Sequence, residues 1–264
     1  MSLLIRETVP VLLLALLPVV SSPRAAASSA NLVARPEPPF SGTIFIDANI
    51  ITSSDPTSFT SAVYTEQASR EMFDRRTNSF NTVNAYLFDA RFDDGLLMEI
   101  QVNPEFGSSY AAATEALKYG DVIGRLPAVL RAEVQTVWIH KGTEPFGGGN
   151  NNLLIHTGQA DFYAGLGVLE ETLIHEAAHT SLDANHATSA GWLAAQTADN
   201  EFISTYARDY PVGEDIAESF LPYLATKYRS SQISQSLCDT IVQTMLNRIT
   251  YFDGQSFNMY PIEN

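Results

Sequence analysis

His175-Glu176-Ala177-Ala178-His179 brings two imidazoles and a carboxylate together within one short stretch. If the stretch is helical, the histidines lie just over one turn apart and their rings stand one above the other. Both rings can then bind one metal ion and leave coordination positions open for water. Glu176 follows the first histidine directly, where its carboxylate can reach that water and act as general base. A bare pattern of this kind also arises by chance, so its context decides.

That context is favourable. Over residues 169–182, Leu169, Leu173, Ile174, Ala177 and Ala178 fall on one face of a helical projection. His175 and His179 fall on the opposite side, with Glu176 at one flank. The pattern predicts a helix with its back in the core and two imidazoles facing a cleft. A catalytic zinc site usually takes three protein ligands and a water, so a third ligand is needed. His186 is one candidate, but on an unbroken helix it stands ~16 Å from His175. It returns to a shared metal only if the chain turns sharply around Asp183-Ala184-Asn185. Metzincins make such a turn at a glycine three residues after the second histidine, and this chain has Leu182 there. A solvent-facing or supporting role fits His186 better.

The other candidate is residues 213–220, Gly-Glu-Asp-Ile-Ala-Glu-Ser-Phe. They open a helix whose Ile216, Phe220, Tyr223 and Leu224 form an apolar side, while Glu214 and Glu218 share the other. A carboxylate from here would complete a His-His-Glu set, and a second could hold a ligand histidine through its free ring nitrogen. Acids in a first helical turn also simply suit the macrodipole, and the residues alone do not separate the two readings.

Taken together, His175-Glu176-x-x-His179 and the later Tyr206-Ala-Arg-x-x-Pro211-x-x-Glu214-Asp-x-Ala217-Glu218-x-Phe220 resemble the gluzincin metallopeptidases, and within them the lethal-factor-like group. The resemblance covers residues 169–224. It implies one catalytic Zn2+ held by His175, His179 and Glu214, with Glu218 supporting the site from behind. It implies Glu176 as the general base and Tyr206 as the oxyanion partner, with Tyr210 as a possible substitute. It also implies a strand before the histidine helix that pairs with extended substrate. The strand-like Leu153, Leu154, Ile155 and His156 are the candidates; a structural role is the plainer reading of His156.

The elements that would carry this site read as follows. Residues 42–51 are rich in Ile and Phe and predict a first strand; residues 53–76 are mixed and polar and support no assignment. Residues 82–92 and 96–102 are strand-like on either side of Asp93-Asp94-Gly95, a hairpin signal. Residues 110–118 predict a helix, and helical pattern continues, broken near Gly124 and Pro127, to about residue 134. Residues 135–140 and 153–157 return to strand. Gly147-Gly148-Gly149 between them lacks the Lys-Ser/Thr of a phosphate loop and reads as a flexible connection. From about residue 165 the pattern is helical. The expectation is an α+β, zincin-like domain: an N-terminal mixed sheet with a backing helix, then the active-site helix and a helical C-terminal part.

Charge and the N-terminus bound the setting. With 30 acidic against 15 basic residues, the net charge of −15 repels phosphate backbones and anionic lipid, so nucleic acid is excluded as a partner. Arg6, an apolar run over residues 9–20 and Ala25-Ala26-Ala27 predict a signal peptide over residues 1–27, hence a secreted protein. The run falls short of the ~20 residues of a membrane span, so no stable membrane insertion is expected after cleavage. Residues 28–41 read as a disordered lead-in and 42–264 as the domain. Cys238 stands alone and reads as a small hydrophobe. The expected activity is zinc-dependent hydrolysis of peptide or protein substrate; the alternatives are a zincin-like scaffold used for binding and a metal hydrolase of non-peptide substrate. The sequence carries no sign of oligomeric state.

Overall fold

The computed structural model describes residues 37–43, 48–199 and 201–262. Residues 1–27, expected as a signal peptide, lie outside them. A long hairpin comes first, β1 (Phe59–Asp74) pairing antiparallel with β2 (Ser79–Phe92). Asn78 closes its turn at φ +49°, a left-handed conformation that asparagine tolerates. β1 occupies the stretch whose residues supported no assignment. Most of its side chains are exposed or half-buried on both faces, so no alternation of apolar and polar residues marks it. β2 turns through Asp93-Asp94-Gly95 into β3 (Leu97–Val102), the expected antiparallel hairpin, with Gly95 at φ +89°.

The chain then crosses the sheet. α1 (Ser109–Gly124) is capped by the Ser108 hydroxyl, which accepts from the Ala111 N–H, and buries Ala112, Ala116, Tyr119 and Ile123 along one stripe. α2 (Ala128–Arg131) follows, and β4 (Thr136–His140) joins parallel to β3, as a helical crossover allows. Next come β5 (Gly147–Gly149) and β6 (Asn152–His156). The order across the mixed sheet is β1-β2-β3-β4-β6-β5. The glycine run, expected as a flexible connection, is therefore an edge strand antiparallel to β6.

This order corrects the substrate-strand expectation. β6 lies between β4 and β5, with Leu153 and Leu154 paired on both sides, and all five of its residues are buried. Leu153 and Leu154 thus have no free edge for a peptide, while Ile155 and His156 pair with β4 and lie beyond the residues that β5 pairs. The edge on that side belongs to β5.

The rest is helical: α3 (Thr157–Leu166), α4 (Leu169–Ser181), α5 (Asp183–His186), α6 (Ala190–Ala198), α7 (Thr205–Asp209), α8 (Asp215–Tyr228) and α9 (Gln235–Asp253). One hydrophobic cluster runs from β2, β3, β4 and β6 through α1 and α4 to α8 and α9, with Cys238 half-buried against it. The expected first strand is not borne out at its described end. Residues 48–51 turn, with Asn49 at φ +68°, and the Ile50 and Ile51 N–H groups donate to the Glu171 carboxylate at 2.7 and 3.3 Å. Residues 44–47 of that stretch lie outside the described residues. The end of the expected disordered lead-in is docked: Phe40 bridges Ser204 and accepts from the Thr205 N–H at 2.9 Å. No helix among the described residues is long and apolar enough to cross a membrane.

Candidate metal centre

α4 presents its two histidines as its periodicity predicts. Leu173, Ile174, Ala177 and Ala178 are fully buried, while the His175 and His179 side chains keep 13% and 16% of their surface exposed. α8 packs against α4, driven by the buried Ile216, Phe220, Tyr223 and Leu224. Glu214 occupies the cap position just before α8 and turns toward α4. Its Oε2 stands 3.4 Å from His175 Nε2 and 3.2 Å from His179 Nε2, and the two Nε2 atoms are 3.1 Å apart. Among the described residues these three side chains form the one cluster of histidine, cysteine and carboxylate groups that could hold a metal ion.

The chemistry of the donor set fits a cation. His175 Nδ1 lies 3.3 Å from Glu218 Oε1, and His179 Nδ1 lies 2.8 Å from Asp183 Oδ2. Each carboxylate favours a proton on the Nδ1 it faces, leaving the Nε2 lone pair directed into the cluster. Two imidazole lone pairs and a carboxylate oxygen then converge within one hydrogen-bond length, and Glu214 Oε2 is buried with no hydrogen-bond donor. Such a convergence repels itself unless a positive charge sits in the middle. Where that charge is a proton, burial opposes it on both histidines. Glu214 and Glu218 outweigh burial at His175, and Asp183 and Glu214 outweigh it at His179, so both rings hold a proton more tightly than usual. Burial works against ionisation of Glu214 too, but the two histidines bring its carboxyl down to about 2.

The surrounding contacts show where the other expected residues lie. Glu218 is fully buried and accepts from Ser204 Oγ at 2.5 Å, which places it behind His175. Tyr206 donates its hydroxyl to Glu214 Oε1 at 2.9 Å; burial, then the Glu214 charge, raises its pKa. Tyr210 meets Tyr206 edge to face at 5.2 Å with 54% of its surface exposed, and Tyr206 is thus the tyrosine at the cluster. His186 stays outside it, its Nδ1 bonded to the Tyr251 hydroxyl at 2.7 Å. His156 is fully buried, stacked on His140 at 5.5 Å, with each ring 4.0 Å from Asp74; burial lowers the pKa of both. It serves the interior of the sheet.

Three contributors were not read from the sequence. Asp183 follows His179 by four residues, a spacing that puts both on one helical face and was there to be found. Ser204 sits in the loop before α7 and carried no signal. Thr180 pins the edge strand to α4: its hydroxyl accepts from the Gly149 N–H at 2.8 Å and donates to the Asn152 carbonyl at 2.9 Å. The close approach also requires glycine, since a Cβ at Gly148 would stand 1.8 Å from the Glu176 carbonyl oxygen. Glu176 is half-buried on the helix face beneath that strand, near enough for its charge to act on both histidines, Tyr206 and Tyr163.

Fold and site together define an α+β domain with a two-histidine, one-glutamate cluster between two packed helices. No protein-family model matches the chain, and no curated protein or solved structure is significantly similar to it.

Proposed function

We propose that the chain is a secreted, zinc-dependent endopeptidase with a zincin-like domain of the gluzincin type. The observation that carries this reading is the convergence of His175 Nε2, His179 Nε2 and Glu214 Oε2 within 3.4 Å, each histidine backed by its own carboxylate. When bound there, zinc supplies Lewis acidity and brings the pKa of water from about 15.7 to about 7. Glu176 takes the proton from the attacking water and delivers it to the leaving amine. Tyr206 exchanges its bond to Glu214 for one to the developing oxyanion, a contact of the kind worth ~2.7–4 kcal/mol. The outer edge of β5, bordering α4, supports backbone pairing with an extended peptide in place of β6.

The test is the purified chain beside its Glu176→Gln variant, with zinc content measured and both assayed on a diverse peptide library. Stoichiometric zinc with cleavage by wild type alone is the expected result. Bound zinc without cleavage leaves a binding scaffold or a hydrolase of other substrates. Loss of zinc in Glu214→Ala and its retention in His186→Ala are expected; the reverse would overturn the ligand set. Sequencing the N-terminus of secreted material tests removal of residues 1–27.

A further inference from the structure

The tip of the β1–β2 hairpin folds across the sheet face that α4 does not cover. Asp74 reaches His140 on β4 and His156 on β6, and the next residue, Arg75, reaches the far edge at β5. The β5 glycines alternate between the two faces, as strand geometry requires. A Cβ at Gly148 would point into α4, whereas one at Gly147 would lie 3.0 Å from Arg75 Nη2 and 3.6 Å from Leu154 Cβ. The missing side chain at Gly147 is what lets the guanidinium lie across the edge strand.

Arg75 differs from the other arginines of this hairpin tip in having no anion. Arg70 is bonded through two nitrogens to Glu99, and Arg76 is held between Asp74 and Glu105. Arg75 forms no ion pair among the described residues, and its Nε is buried without a hydrogen-bond partner. This occurs in a chain with twice as many acidic as basic residues. Its charge also acts on Tyr163, the phenol that the Glu176 charge reaches from the α4 side. A half-buried guanidinium beside a free strand edge offers a planar fork of donors that fits a carboxylate.

We infer that Arg75 is a specificity-determining residue that selects an aspartate or glutamate side chain of the substrate. The inference rests on the peptidase reading above. A peptide paired with the outer edge of β5 places the side chain opposite Gly147 on the Arg75 face, while its neighbours in sequence point to the α4 face. Acidic preference is therefore confined to one subsite.

The experiment uses a peptide library varied at each position around the cleaved bond, followed by matched peptides carrying Glu, Gln or Lys at the selected position. Wild type is expected to prefer Glu over Gln by ~10-fold or more in kcat/KM, mainly through KM. Arg75→Ala brings that ratio to near one, and Arg75→Glu turns the preference toward Lys, a reversal that a merely structural role would not produce. If Arg75→Ala fails to fold, Arg75→Gln and Arg75→Lys replace it, with loss and retention of the preference expected in turn. Cleavage without acidic preference, or a preference that Arg75→Ala and Arg75→Glu leave unchanged, overturns the inference and leaves the peptidase reading standing. If no peptide is cleaved that Glu176→Gln spares, both fall together.

Discussion

Removing the carboxylates behind the two histidines should weaken metal binding unequally, and the structure says in which order. Asp183 Oδ2 is 2.8 Å from His179 Nδ1, but its side chain is 28% exposed. In Asp183→Asn the amide oxygen can still accept from the ring, and water can fill in beside it. Glu218 is fully buried behind His175, and Ser204 Oγ donates to it at 2.5 Å. In Glu218→Gln a negative charge disappears where no water can replace it, and an amide group must be satisfied in the same space. Losses at such positions run about 10–100-fold in metal affinity. Asp183→Asn should lie near the lower end, ~1.4 kcal/mol, and Glu218→Gln near the upper end, ~2.7 kcal/mol. Because the histidines they hold share one cluster, with Nε2 atoms 3.1 Å apart, the double variant should depart from the sum of the two free energies. The assay is competitive zinc titration against a chelating dye at fixed pH, with circular dichroism confirming that each variant folds. If folded Glu218→Gln binds zinc as wild type does, or His186→Ala loses as much affinity as Glu218→Gln, then the carboxylates do not orient this site.

Other perturbations separate chemistry from architecture. Tyr206→Phe should lower kcat by about 10²–10³-fold with zinc affinity nearly unchanged, as loss of one oxyanion donor does; the exposed Tyr210→Phe should leave kcat as it was. Gly148→Ala forces a methyl to within 1.8 Å of the Glu176 carbonyl oxygen, so β5 must move off α4. The expected cost is about 1–3 kcal/mol in urea unfolding, with peptide cleavage falling further than zinc binding. Glu171 has its pKa pushed up to about 7 by burial, against the stabilising Ile50 and Ile51 N–H bonds. The folded state thus holds this proton more tightly than the unfolded chain. The resulting stability is fully present below pH ~4.3 and is lost as pH rises through 7. Glu171→Gln cannot ionise, so its unfolding free energy should gain on that of wild type across this window, by on the order of 4 kcal/mol at most. A flat difference from pH 4 to 8 would show that Glu171 does not titrate in this way.

Residue types and spacing alone determined the histidine-bearing face of α4 and the β2–β3 hairpin, because both are local. A helix brings every fourth residue onto one side, and an Asp-Gly turn reverses a chain without help from elsewhere. Elements without side-chain pattern escaped: β1 mixes apolar and polar residues without alternation, and β5 consists of glycine alone. Strand order escaped as well, since whether residues 152–156 form an edge or an interior strand depends on where residues 147–149 and 136–140 pair. At the candidate centre, the resemblance named Glu214, but the residues themselves left it balanced between ligand and helix-capping acid. Only the packing of α8 on α4 brought its carboxylate to 3.2 Å from a histidine 35 residues earlier, chose Tyr206 over Tyr210, and left His186 with Tyr251. Sequence holds the periodicity of each helix; the distance between two helices belongs to the core they share.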